Sequence, residues 1–216
     1  MRYKIVLQYD GSQYFGWQLQ KKERTVQGVL EAILSVLNQG TRVVVTGAGR
    51  TDTGVHAWGQ TAHFDLETRL NDEDLLRALN GNCPRDLRVR SLERVADDFH
   101  ARFSARSRTY RYQCYRGERL WFRNQSWICG ELDLETLNQL AEMIGGVHDF
   151  TSFSRQSTPR DHYLCEVLNS CWREDGEFVT FRITANRFLS YGSLPGGDDG
   201  GCQSEKNIHD DFSTIA

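Results

Sequence analysis

Hydrophobic and polar positions alternate at the start of the chain, with Ile5, Leu7 and Tyr9 on one side and Lys4, Val6 and Gln8 on the other. A period of two predicts a half-buried strand over 3–9. A turn-rich loop, DGSQYFGWQ, follows and carries Tyr14, Phe15 and Trp17. The period then lengthens. Val26, Val29, Leu30, Ile33, Val36 and Leu37 share one face of a helix over 26–38, with Thr25 placed to cap it and Gly40 to end it. TRVVVT (41–46) predicts a strand, and QTAHFDLE (60–67) alternates again beyond a glycine-rich loop. Asn71 is placed to cap a short helix in DEDLLRALN (72–80), which Gly81 and Pro84 stop.

A second round follows. DLRVRSLERV (86–95) and TYRYQCY (109–115) predict strands. Asp133 opens a helix with Leu134, Leu137, Leu140, Ala141 and Ile144 on one side, ended by Gly145 and Gly146, and EFVTFRITA (177–185) predicts another strand. The rhythm strand–helix–strand–strand thus occurs twice without a visible sequence repeat. It predicts an α+β fold: a large, mostly antiparallel sheet from two similar halves, with helices on one side. The halves are placed at 1–96 and 97–189. From residue 190 the periodicity is lost and five glycines appear, which predicts a disordered, Gly-rich acidic tail over 190–216.

Length and composition narrow the class. A chain of 216 residues, 39% hydrophobic and 25% charged, is an ordinary globular sequence. No apolar run approaches the ~20 residues of a membrane span. The opening MRYKIVLQYDG is too polar for a signal peptide, which makes the cytoplasm the expected location. Six cysteines form no C-x-x-C pair, so reduced thiols are expected rather than a zinc site. The net charge of −3 hides an asymmetry: 190–216 holds five acids and one base (−4), leaving about +1 for 1–189. Of 26 cationic residues four are Lys, leaving 22 Arg. Arg has a planar fork for phosphate and stacks on bases, so the skew favours a nucleic-acid partner, although an Arg-rich codon bias explains it equally well.

Two stretches carry chemistry. The first is TGAGRTDTGVHAWGQ (46–60), with glycines at 47, 49, 54 and 59 around Arg50 and Asp52. A phosphate cradle would need a helix after the loop and no carboxylate in it; a strand follows, and Asp52 would repel phosphate. A plain glycine turn is the bland alternative. Against it stand the loop's length and its load of Thr, Arg, Asp and His. A lone carboxylate can serve as nucleophile or base, and a nearby Arg favours its charged form. Glycoside hydrolysis takes two carboxylates, and no partner acid is evident, because Asp65 and Glu67 lie in or beyond the next strand. Single-carboxylate chemistry at a sugar–base bond fits better.

The second stretch, HARFSARSRTYRYQCYR (100–116), holds Arg102, Arg106, Arg108, Arg111 and Arg116, no acid, and the aromatics Phe103, Tyr110, Tyr112 and Tyr115. Guanidinium groups interleaved with rings hold single-stranded or flipped nucleotides. A solvated Arg face over an aromatic core is the alternative, and Phe103 and Tyr112 are expected in that core.

Together these stretches resemble the tRNA pseudouridine synthase A family. The matching signatures are YDGSQYFGWQ (9–18), TVQGVLE (25–31), GAGRTDTGVHA (47–57), DDFHARFSARSRTYRY (97–112), HDFTSF (148–153) and FRITANRFL (181–189), in the family's order. The resemblance implies the pseudouridine synthase fold and isomerisation of uridine to pseudouridine at positions 38, 39 and 40 of the tRNA anticodon stem-loop, without a cofactor, by a homodimer. It implies that Asp52 is the catalytic carboxylate, that Tyr110 stacks on the target uracil, and that Arg50 contacts the displaced nucleotide. It also implies that the loop at 10–18 touches RNA, although Tyr14 and Trp17 suit a core equally well.

The resemblance ends at Leu189. The family continues into a helix whose Met-Val-Arg supplies an Arg that pairs with the catalytic Asp; here SYGSLPGGDDGG follows, with Arg187 just before and Lys206 well beyond. This departure suggests a frameshifted or aberrant end and an incomplete second half. Its functional alternative is a catalytically impaired RNA-binding remnant.

Overall fold

A computed structural model of the chain describes residues 1–118, 120, 122–153, 163–189 and 213–215. The chain divides into two units, Met1–Ala105 with Ser213–Ala216, and Arg106–Phe212. The class is α+β, with antiparallel pairing dominant in each unit.

In the first unit the central strand is β1 (Arg2–Tyr9), whose alternation is that of the sequence: Tyr3, Ile5, Leu7 and Tyr9 are buried. Helix α1 (Val26–Leu37) begins where Thr25 accepts the Gly28 N–H, and the chain leaves it through Gly40 at φ +87°. β2 is Thr46–Gly47, and β3 (Ala57–Asp65) pairs antiparallel with β1. Helix α2 (Asp72–Asn82) starts at the Asn71 cap. β4 (Leu87–Val95) flanks β1 on its other edge. Val26, Leu30 and Leu34 of α1 and Leu75 and Leu79 of α2 cover the Ile5–Leu7 side of this sheet. Val36, expected on the buried face of α1, is 69% exposed, and Leu34 takes the core place.

The strand expected over 41–46 shrinks to Thr46–Gly47. Its backbone groups are taken by helix side chains instead: the Val45 N–H donates to Glu31 Oε1 (3.2 Å), and Gln27 Nε2 donates to the Val45 carbonyl (3.1 Å). Gln27 and Glu31 are themselves buried and bonded to each other at 2.8 Å. A buried polar pair on α1 thus does the work of a ladder neighbour.

Residues 97–105 belong with the first unit because a strap over 97–103 lies on its sheet. Arg2 Nη1 donates to the Asp97 and Phe99 carbonyls, and the Ala101 N–H donates to His63 Nδ1 of β3 (3.1 Å). Phe103, expected in the core, is 78% exposed, because its ring lies on His100 (4.3 Å) at the strap's outer side.

The second unit is built on β5 (Arg108–Tyr115), with β6 (Trp127–Ile128) parallel on one edge. Helix α3 (Leu134–Met143) is capped by Asp133. β7 (Gly146–Asp149) pairs with β8 (Leu164–Asp175), and β9 (Phe178–Ala185) lies between β8 and β5. Tyr112, as expected, is buried with Cys114 and Val179, and the half-buried Trp172, Phe181 and Leu134 pack against them. Leu140 is 53% exposed. Asn138 docks α3 by bonding both the N–H (2.8 Å) and the carbonyl (3.2 Å) of Trp172.

A further strand, β10 (Ser213–Ile215), pairs parallel with β3, Thr214 opposite Ala57. The rest of the segment expected to be a disordered tail lies outside the described residues, as does Lys206. Among the described residues no helix is long and apolar enough to cross a membrane.

Candidate active site

The glycine-rich loop between β2 and β3 is anchored residue by residue. The Ala48 N–H donates to the Thr61 carbonyl (2.8 Å), and Gln60 Nε2 donates to the Gly49 carbonyl (2.8 Å). The buried Thr51 shares a hydrogen bond with the Tyr9 hydroxyl (2.9 Å). The next residue, Asp52, is exposed, as is Arg50. A buried residue with an exposed carboxylate beside it is how a rigid scaffold presents one reactive group to a ligand.

The bed of this loop is the segment 10–18. The Trp17 N–H donates to the Thr51 carbonyl (3.0 Å), and the Gly54 N–H donates to the Tyr14 carbonyl (3.2 Å). On its far side the same segment is tied to the start of α1, where Val26 N–H meets the Gly16 carbonyl (3.2 Å) and Gln27 N–H the Trp17 carbonyl (3.1 Å). The glycines explain how the layers fit. A Cβ on Gly11 would lie 2.0 Å from the Val55 carbonyl oxygen, one on Gly16 2.5 Å from that of Thr51, and one on Gly47 2.6 Å from the Trp17 ring. Gly16 (φ +78°) and Gly54 (φ +84°) also hold left-handed backbone. Gly49 faces open space, with nothing within 4 Å of its Cβ position.

Tyr14 and Trp17 are core residues, each 2% exposed. Of the aromatics in 10–18, Phe15 is the open one, at 48%. Tyr14 is clamped: its hydroxyl donates to Asp86 Oδ1 (2.9 Å), and the Arg24 guanidinium lies 4.1 Å from its ring centre while gripping both Asp86 oxygens (2.8 and 2.9 Å). That grip lowers the Asp86 carboxyl below its ordinary range, while burial and the Asp86 bond push the Tyr14 phenol up. At the loop's exit, His56 Nδ1 accepts the Gly11 N–H (3.2 Å) and lies 3.1 Å from Asp10. Burial would raise the Asp10 carboxyl, but bonds from the Ser12 hydroxyl and N–H, with His56 beside it, outweigh that and lower it.

Arg50 and Asp52 share the loop but form no ion pair; among the described residues neither side chain is bonded to a partner. The expected Arg support for Asp52 is therefore absent here, and the guanidinium stays open to a ligand. Tyr110 stands on β5 of the second unit, opposite Ile183 of β9. It is half-buried, with the Phe188 ring edge-on at 4.6 Å and 87°. Phe188 follows Asn186, which exchanges bonds with Glu166 of β8 (both 3.0 Å), so the ring beside Tyr110 hangs from a pinned residue. Arg111 is held by Gln113 at 2.6 Å and sits opposite Arg182.

The sequence reading missed the role of Gly11 and Gly16 as the seat of the Asp52 loop. The signal was there: glycines beside Tyr14 and Trp17 in one loop, and glycines without bulky neighbours in another. Among the described residues no group of His, Cys, Asp and Glu could hold a metal ion.

Residues 5–104 match the family described as tRNA pseudouridine synthase. The protein named tRNA pseudouridine synthase A of Geobacillus kaustophilus is 38% identical over 191 residues, spanning 87% of this chain and 74% of its own length. That of Bacillus licheniformis is 38% identical over 193 residues, spanning 88% and 78%. That of Streptococcus pneumoniae is 38% identical over 193 residues, spanning 87% and 78%. At this identity and coverage, the chain belongs to the tRNA pseudouridine synthase family.

Proposed function

We propose that this chain isomerises uridine to pseudouridine in tRNA, at positions 38, 39 and 40 of the anticodon stem-loop, in the cytoplasm, as a homodimer and without a cofactor. The observation that carries the reading is Asp52: an exposed carboxylate one residue from the buried Tyr9–Thr51 bond, on a loop bonded to β3 and to 10–18. Fixing the loop before substrate arrives lowers the entropy cost of aligning the carboxylate with its target.

In the reaction the bond from ribose C1′ to uracil N1 breaks, the base turns, and a bond from C1′ to C5 forms. N1 gains a proton and C5 loses one to solvent. Asp52 serves this step as nucleophile or as base. The uridine must first leave the stack, at a cost of a few kcal/mol, and a ring stacked on the uracil offsets part of that cost. Tyr110 takes this place, with Phe188 holding its edge. Arg50, unpaired with Asp52, holds the displaced nucleotide. Gly49 leaves space at the loop's open face.

Carbodiimide labelling and primer extension on an unmodified tRNA transcript test the reading. Stops reporting positions 38–40, after incubation with the chain, support it. A chain that binds tRNA and produces no such stop is the RNA-binding remnant instead.

A further inference from the structure

The pairing of β1 is interrupted on both of its edges within Val6–Tyr9. Between β1 and β3 the register slips from Leu7–Gln60 to Tyr9–Ala57, so Trp58 and Gly59 together face Gln8. Between β1 and β4 it slips from Val6–Ser91 to Leu7–Val89, leaving Arg90 as the extra residue, with Arg88 opposite Gln8. Such bulges re-aim side chains and recur beside functional sites. Here they place an indole and two guanidinium groups around one glutamine.

The indole is 55% exposed, and both arginines are exposed. Arg90 Nη1 reaches across β1 to the Trp58 carbonyl (3.0 Å), which fixes its guanidinium beside the indole's backbone. Among the described residues no carboxylate pairs with Arg88 or Arg90, and no ring or cation lies on Trp58. The neighbouring row, Thr61–Val6–Ser91, carries no charge. β3 begins at Ala57, directly after the Asp52 loop, so Trp58 lies one residue into the strand that the loop enters.

We propose that Trp58, Arg88 and Arg90 bind a nucleotide of the tRNA strand flanking the isomerised uridine, its base on the indole and its phosphates on the guanidiniums. The proposal rests on the RNA-isomerase reading above. Its chemistry is general: a base on an exposed aromatic face needs no sequence, and Arg without a counter-acid favours phosphate.

The probe is an unmodified anticodon stem-loop RNA, titrated against the full chain at several salt concentrations. Trp58→Ala is expected to weaken binding about tenfold or more, and Trp58→Phe to restore most of it. Arg88→Ala and Arg90→Ala should each reduce the slope of log affinity against log salt by about one. RNA should quench the fluorescence that wild type has and Trp58→Phe lacks. These side chains are exposed, and unchanged thermal unfolding certifies each variant. If wild type binds while Trp58→Ala shows the same affinity and slope, the inference is overturned and the isomerase reading stands. If binding depends on Trp58 but no pseudouridine forms, the contact stands and the isomerase reading falls. No RNA binding by wild type overturns both.

Discussion

The Tyr9 hydroxyl and the Thr51 hydroxyl meet at 2.9 Å in the buried floor of the Asp52 loop. Tyr9 ends the central strand, and Thr51 precedes the exposed carboxylate, so this bond transmits the rigidity of the sheet to Asp52. Thr51→Val keeps the shape and removes the bond. Losing a buried side-chain hydrogen bond costs about 0.5–1.5 kcal/mol. The turnover of tRNA should fall at least tenfold with little change in RNA affinity. Equal turnover in Thr51→Val would sever the link between this bond and the carboxylate.

Gly47 and Trp17 are matched by volume. Gly47→Ala drives a Cβ to 2.6 Å from the indole, which at ordinary overpacking costs is about 1–3 kcal/mol. Trp17→Phe shrinks the ring, so the double variant should be more stable than the sum of the two single changes. Chemical denaturation of the four proteins reads the coupling directly; strict additivity would mean the contact is slack.

His63 gives a pH dependence. Burial, His100 and Arg2 lower its pKa below the ordinary 6.5, against Asp65 and a Thr46 backbone bond, which raise it. The folded state therefore resists a proton that the unfolded chain accepts. The stability is fully present above 6.5 and declines as pH falls from there through the lower folded value, at no more than ~1.4 kcal/mol per pH unit for one proton. Urea unfolding between pH 7.5 and 5.5 should show the decline, and His63→Gln should flatten it. A His63→Gln profile parallel to wild type would remove His63 from the cause.

Asp86 acts at the acid end with the same sign. Its lowered pKa comes first from the Arg24 bond, then from Tyr14 after the opposing effect of burial. The stability it contributes is present above its unfolded value and declines as pH drops through the folded one. Arg24→Met leaves Asp86 partly buried without its guanidinium partner, so unfolding free energy should fall by about 1–3 kcal/mol at neutral pH. Asp86→Asn combined with Arg24→Met should recover part of that loss; no recovery would mean the carboxylate is not the source.

Most of the framework was legible because its periods are clean. β1 alternates without interruption, and Thr25, Asn71 and Asp133 cap the helices they precede. TRVVVT misled because Gln27 and Glu31, four residues apart on a helix, occupy the polar groups a partner strand would have taken. β8 escaped notice because its register shifts between Val167 and Asn169, which breaks the alternation. At the site, the roles expected of Arg50, Asp52 and Tyr110 came from motif resemblance. The reason for the glycines did not: their fit depends on contacts with Trp17, Thr51 and Val55, and such contacts leave no local period. Phe103 was assigned to a core on hydrophobicity alone, whereas the strap turns its ring outward.

The most direct test of Asp52 follows the hydrogen that the isomerisation expels. When uracil reattaches through C5, a tritium at that carbon is released to water. With tRNA carrying 5-tritiated uridine, wild type should release tritium over repeated turnovers, and Asp52→Ala should release none above background while still binding the RNA. Release by Asp52→Ala at the wild-type rate, or tRNA binding by wild type with no release, would contradict the assignment.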